Sequence, residues 1–98
     1  MAFEWDESKR RVNLAKHGVD FVKAAKALIG DTLERPDGRR DYGEERIIAI
    51  GAADGDVVVV VYTRRDDRLR IISAKLAGRN ERKAYHARID RPIGADEG

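Results

Sequence analysis

Apolar and polar positions change their period several times along this chain, and each change marks an element. Phe3-Glu4-Trp5 alternates, which suits a short edge strand, and Asp6 offers an N-cap for a helix running to about His17. Glu7 falls in that helix's first turn and Lys16 and His17 in its last, as the helix dipole favours; Gly18 supplies a left-handed stop. Asp20 caps a second helix in which Phe21, Ala24, Ala25, Leu28 and Ile29 recur at helical spacing. The pair forms a hairpin with a narrow apolar seam.

Beyond Gly30-Asp31, Thr32 to Arg35 reads as a short strand with an edge-type Pro36 after it, and Pro36 to Glu45 as a polar, mobile connection. Three stronger strands follow. Arg46 to Ala53 and Val57 to Arg64 flank Asp54-Gly55, a two-residue hairpin signal, and Leu69 to Lys75 follows a loop at Asp66-Asp67. After Gly78, an Asn80 cap opens a charged helix from Glu81 to about Ile89. The pattern predicts an α+β fold: an N-terminal helix hairpin on a three- to four-stranded, mainly antiparallel sheet, plus a C-terminal helix. Residues 1–90 form one domain, and 91–98, with Pro92 and Gly94, a flexible tail.

The turns also set a register. If Ala53 faces Asp56, Arg46 faces Thr63; if Arg64 faces Leu69, Thr63 faces Arg70. Arg46, Thr63 and Arg70 then share a row and a face with Ile48, Ile50, Val59, Val61, Ile72 and Ala74. The opposite face carries Ile47, Ala49, Val58, Val60, Tyr62, Leu69 and Ile71. A sheet apolar on both sides must be covered on both: by the helix hairpin on one, and in part by the last helix on the other. Lys75 points away from the arginine row unless a bulge turns it.

Composition narrows the chemistry. Among 98 residues there is no cysteine, which excludes disulfides and thiolate metal sites, and two histidines argue against a dedicated transition-metal site. The longest apolar run, Val57 to Val61, is far too short to span a bilayer, and Glu4 and Asp6 interrupt any signal peptide. The expectation is a soluble, cytoplasmic protein with no membrane partner. Net charge is only +2, but residues 1–63 hold ten Lys/Arg against twelve Asp/Glu, whereas 64–91 hold ten against four. The C-terminal third is therefore the face for a polyanion. Its strand-to-helix junction gathers Arg70, Lys75, Arg79, Glu81, Arg82 and Tyr85: the cations, carboxylate and phenol that handling a phosphodiester without metal ligands requires.

Phe3-Glu4-Trp5-Asp6, Lys9, Asn13, Lys16-His17-Gly18-Val19, Phe21, Gly43-Glu44-Glu45-Arg46, Val60-Val61-Tyr62-Thr63, Arg70-Ile71-Ile72-Ser73-Ala74 and Glu81-Arg82-Lys83-Ala84-Tyr85 together resemble the BrnT family, small toxins of bacterial type II toxin–antitoxin systems. The resemblance runs in order through nearly the whole chain up to Tyr85. It implies a RelE-like fold, ribonuclease activity that inhibits translation, and neutralisation by a BrnA antitoxin; from the residues themselves no cofactor is expected. It further implies that a ribbon-helix-helix part of that antitoxin brings the complex to its operator DNA. Lys75 stands where the family often has Arg, keeping the charge but not the bidentate fork.

Metal-free RNA cleavage needs a base for the ribose 2′-hydroxyl, cations for the phosphate and an acid for the leaving 5′-oxygen. Arg46 and Arg70, in one row of an apolar face, form the expected phosphate clamp, unless each pairs with an acid such as Glu44 or Glu45. Glu81 is the expected proton-transfer group and His17 its alternative. Yet Glu81 also suits a first-turn acid, and Lys-His-Gly is ordinary helix-stop chemistry. Lys16, Arg64, Lys75, Arg79, Arg82 and Tyr85 complete the RNA-binding set. For Tyr85 the alternative is packing with its hydroxyl at the rim, for Arg64 a solvated hairpin end, and for Lys9, which can line a groove with Lys16, a solvated helix face. Two rivals use the same face: a nucleic-acid-binding module without catalysis, and an interaction protein that holds an acidic partner.

Overall fold

Short polar side chains at the expected places start and stop the N-terminal helices. In the computed structural model, which describes residues 2–89, the Asp6 carboxylate accepts from the Ser8 and Lys9 amides to open α1 (Glu7–His17), and Gly18, at φ 71°, closes it with its N–H on the Leu14 carbonyl. Asp20 accepts from Val22 N–H to open α2 (Phe21–Ile29). Arg10 reaches both Glu7 and Asp20 and so ties the hairpin, while Trp5 meets Phe21 edge-on at 6.1 Å. The expected tail at 91–98 lies outside the described residues.

The remaining elements are β1 (Ala2–Glu4), β2 (Leu33–Pro36), β3 (Arg46–Ala53), β4 (Asp56–Arg65), β5 (Arg68–Leu76) and α3 (Arg79–Ile89). They form one five-stranded sheet in the order β1-β5-β4-β3-β2. This corrects the expected three to four strands. β1 pairs parallel with β5, Phe3 opposite Leu69 and Glu4 opposite Arg70, so the sheet is mixed. Alternation can mark Phe3-Glu4-Trp5 as extended, but no turn links it to a partner more than sixty positions away. β2 is an antiparallel edge that ends on Pro36, whose missing N–H costs nothing there.

The hairpin at Asp54-Gly55 forms as its residues dictate, both in the left-handed region, with Ala53 opposite Asp56. On one sheet face Phe21, Ala24, Ala27 and Leu28 of α2 pack on Ala49, Val58, Val60, Tyr62 and Ile71. Ile29, expected in that seam, is instead exposed, and Ala27 takes its place because the buried stripe centres on Ala24 and Leu28. The contact at Ala27 is close. A Cβ on Gly51 would sit 2.7 Å from the Ala27 carbonyl oxygen and 3.2 Å from Thr32 Cγ2. Backbone cannot rotate away, so Gly51→Ala should push α2 off the sheet and cost about 1–3 kcal/mol. A urea midpoint equal to wild type would refute this close packing.

The other face carries Ile48, Val59, Val61 and Ala77, with Ile50, Val57 and Ile72 at its margins. α3 covers its β2–β3 side. Tyr85 is buried there and its hydroxyl donates to the Asp31 carbonyl at 3.2 Å, so it packs, as one reading of the sequence has it, with its hydroxyl tied to backbone. The cap is also different from expectation: Gly78, not Asn80, precedes the helix. Arg82 N–H bonds the Gly78 carbonyl at 2.9 Å, and Glu81 Oε1 accepts the Gly78 N–H at 2.8 Å, half of a capping box.

A bulge in β5 decides what this face displays. Thr63 pairs with Arg70 and Tyr62 with Ile71, but Val61 pairs with Ser73, leaving Ile72 as the extra residue. Parity inverts beyond it. Ala74, expected beside Val59 and Val61, moves to the α2 side and joins that core, while Lys75 comes opposite Val59. Asn13, the one buried residue of α1, holds the segment: its amide donates to the carbonyls of Ala74 (2.8 Å) and Val19 (3.0 Å), and its oxygen accepts the Ala74 N–H at 3.1 Å.

Candidate nucleic-acid interface

Strand register sorts the polar side chains of the second face into rows. The outermost row is Glu4, Arg70, Thr63 and Arg46, so the three residues predicted to align do so. Both guanidiniums are occupied. Arg70 donates to Glu4 at 2.7 Å, and Arg46 lies 3.4 Å from Glu44 and 4.0 Å from the centre of the Tyr42 ring. Thr63 donates to the Glu45 carbonyl. The alternative of an ordinary ion pair therefore describes both arginines in this state of the protein.

The next two rows are Arg35, Ile48, Val61, Ser73 and then Leu33, Ile50, Val59, Lys75. Here the face opens into a cleft of about 320 Å³. Ile48, Val59 and Val61 form its floor, and Arg35, Arg39, Lys75, Ser73, His17 and Glu81 its walls. His17 arrives from the end of α1, Glu81 from the first turn of α3, and Lys75 because of the bulge. Arg35, Lys75 and His17 make no ion pair with any described residue. Arg39 is held differently: both oxygens of the enclosed Asp37 carboxylate bond its guanidinium at 2.7 Å. That pairing depresses the Asp37 carboxyl to about 2, so its contribution to stability is complete above the ordinary carboxylate range and is lost progressively as pH falls from there through that value.

The cleft thus unites His17, Lys75 and Glu81 of the predicted set. Arg46 and Arg70 share the face but stand two rows from Lys75, roughly 13 Å along the strands. Arg64 alternates to the α2 side of β4, Arg79 is exposed at the start of α3, and Lys16 borders a groove beside α1. Arg82 donates to the Ala77 carbonyl at 3.0 Å and, with Tyr85, fastens the strand-to-helix junction. Sequence reasoning missed Arg35, Arg39 and Ser73. Arg35 was accessible in principle, since it shares a face with Leu33 on a strand that was recognised; Arg39 sits in a loop without periodicity, and Ser73 depends on the bulge. Among the described residues no three His, Cys, Asp or Glu side chains cluster as metal ligands.

An apolar-floored cleft with uncompensated cations, an imidazole and a carboxylate on its walls defines an α+β protein that can hold a polyanion and move protons beside it. The family model of the BrnT ribonuclease toxins of type II toxin–antitoxin systems matches residues 5–81, and the chain belongs to that family. This class of protein acts on RNA and has an antitoxin as its partner. No curated protein matches the chain. The matched span contains every cleft-lining residue. No helix among the described residues is long and apolar enough to cross a membrane.

Proposed function

We propose that this chain is a metal-independent endoribonuclease with a RelE-like fold, and that the cleft is its active site. The observation that carries the reading is the meeting of His17 and Glu81 with two unpaired cations, Arg35 and Lys75, over an apolar floor. Arg35 and Lys75 hold the scissile phosphate as charge builds on it. Glu81 accepts the 2′-hydroxyl proton, the 2′-oxygen attacks phosphorus, and His17 as imidazolium protonates the departing 5′-oxygen. The products are a 2′,3′-cyclic phosphate and a 5′-hydroxyl end. Arg46 and Arg70 exchange Glu44 and Glu4 for flanking phosphates, with Lys16, Arg64, Arg79 and Arg82 as outlying cations and Tyr85 in support of α3. A BrnA-type antitoxin with a ribbon-helix-helix part covers the basic face in the cytoplasm and brings the complex to operator DNA.

One observation favours the rival of a binding module without catalysis: Glu81 Oε1 is already engaged by the Gly78 N–H. Incubation of the protein with RNA in EDTA separates the two. Cleavage that persists in chelator, leaves cyclic phosphate ends and drops roughly a hundredfold or more in Lys75→Ala supports the enzyme. Cleavage that requires added Mg²⁺ removes the metal-free mechanism, and salt-sensitive binding without cleavage establishes the module.

A further inference from the structure

A second cavity, of about 350 Å³, lies between α1 and β5, and it meets the first at His17 and Ser73, which line both. Ser8, Lys9, Val12, Asn13 and Lys16 form its α1 wall, positions that fall on one helix face. Ile72, the bulged residue, completes the other wall. Three features are unusual for a solvated helix face. Val12 is 66% exposed although apolar, Lys9 and Lys16 make no ion pair with any described residue, and the groove leads straight to the proposed proton donor.

We infer that this α1–β5 groove is a binding subsite for a flanking stretch of single-stranded RNA, continuous with the active-site cleft through the His17–Ser73 junction. The inference rests on the ribonuclease reading and extends it to the path of the substrate. Lys9 and Lys16 are seven residues apart, roughly 10 Å along the helix, and so meet different backbone phosphates of one strand. Val12 and Ile72, on facing walls, offer apolar surface to ribose and base without hydrogen-bond readout, so this subsite contributes affinity and length dependence, not sequence preference. A strand crossing from one cavity to the other must turn past His17 at the bulge, which a flexible single strand does and a rigid A-form duplex, read along its broad minor groove, does not. The scissile bond is thereby placed at the junction, with nucleotides on both sides.

The test is a salt-dependent anisotropy titration with labelled single-stranded oligoribonucleotides from a trinucleotide upward, on wild type, Lys9→Ser/Lys16→Ser, Lys9→Arg/Lys16→Arg and Arg35→Ser/Lys75→Ser. Two lost phosphate contacts should lower the slope of log K against log salt by about 1.4 for long strands in the serine pair. The same pair should bind the trinucleotide as wild type does, so that the gain in affinity with length flattens, and the arginine pair should restore it. Arg35→Ser/Lys75→Ser should weaken every length. Wild-type slope and length dependence in the serine pair, with wild type itself binding, overturns the subsite alone, whereas wild type that binds no RNA overturns the ribonuclease reading and the subsite together. Equal or tighter binding of a duplex of the same length also overturns it.

Discussion

His17→Ala is expected to slow RNA cleavage roughly a hundred- to ten-thousand-fold, the usual contribution of a positioned proton-transfer group, while shifting stability by no more than about 1 kcal/mol. The two effects separate because His17 has two independent settings. As the last residue of α1 it interacts with the helix dipole, a small and exposed effect; as a wall of the cleft it is the only imidazole there. His17→Lys tests the distinction, since it keeps a cation at the helix end but holds its proton too tightly to act as the acid near neutrality. Cleavage at wild-type rate in His17→Lys would reduce His17 to a charge. Glu81→Gln makes the parallel test for the base: its side-chain oxygen can still accept the Gly78 N–H, so the cap survives while the carboxylate is lost. If Glu81→Gln cleaves as fast as wild type, Glu81 is a cap and nothing more.

What could be read from residues alone depended on how local the determining contact is. Both N-terminal helices were legible because Asp6, Gly18 and Asp20 act within a few residues of themselves, and the central hairpin because Asp54-Gly55 sets its register outright. That register carried as far as Thr63 and Arg70, so the arginine row is where the sequence placed it. It could not carry past Ile72. The bulge has no turn residue to announce it and is held from outside the strand, by Asn13 sixty-one positions away. One inserted residue moved Ala74 into the α2 core and Lys75 into the cleft, which is why the arginine row was legible in the sequence and the cleft was not. The carboxylates on Arg46 and Arg70 were half legible: Glu44 was named as a partner, but Glu4 reaches Arg70 only through the parallel pairing of β1.

Asn13→Ala should cost about 3 kcal/mol and lower the melting temperature by more than roughly 10 °C. The substitution removes both partners of Ala74's backbone and one from Val19, at a site where Asn13 is only 6% exposed. Each buried amide or carbonyl left unpaired costs about 1–3 kcal/mol, and the sum is moderated by water entering from the groove that Asn13 also lines. Asn13→Asp gives no rescue, because its carboxylate can still accept from Ala74 N–H but faces two carbonyl oxygens with nothing to donate. The second consequence is functional. With the clamp gone, β5 is free to lose its bulge and continue the Thr63–Arg70 register, which returns Lys75 to the α2 side and removes a cation from the cleft. Cleavage by Asn13→Ala should therefore fall even well below its melting temperature, and adding Lys75→Ala to it should cost less than Lys75→Ala costs wild type. Full additivity of the two in log rate would show that Asn13 supports the fold without aiming Lys75, and a melting temperature equal to wild type would show that the clamp does neither.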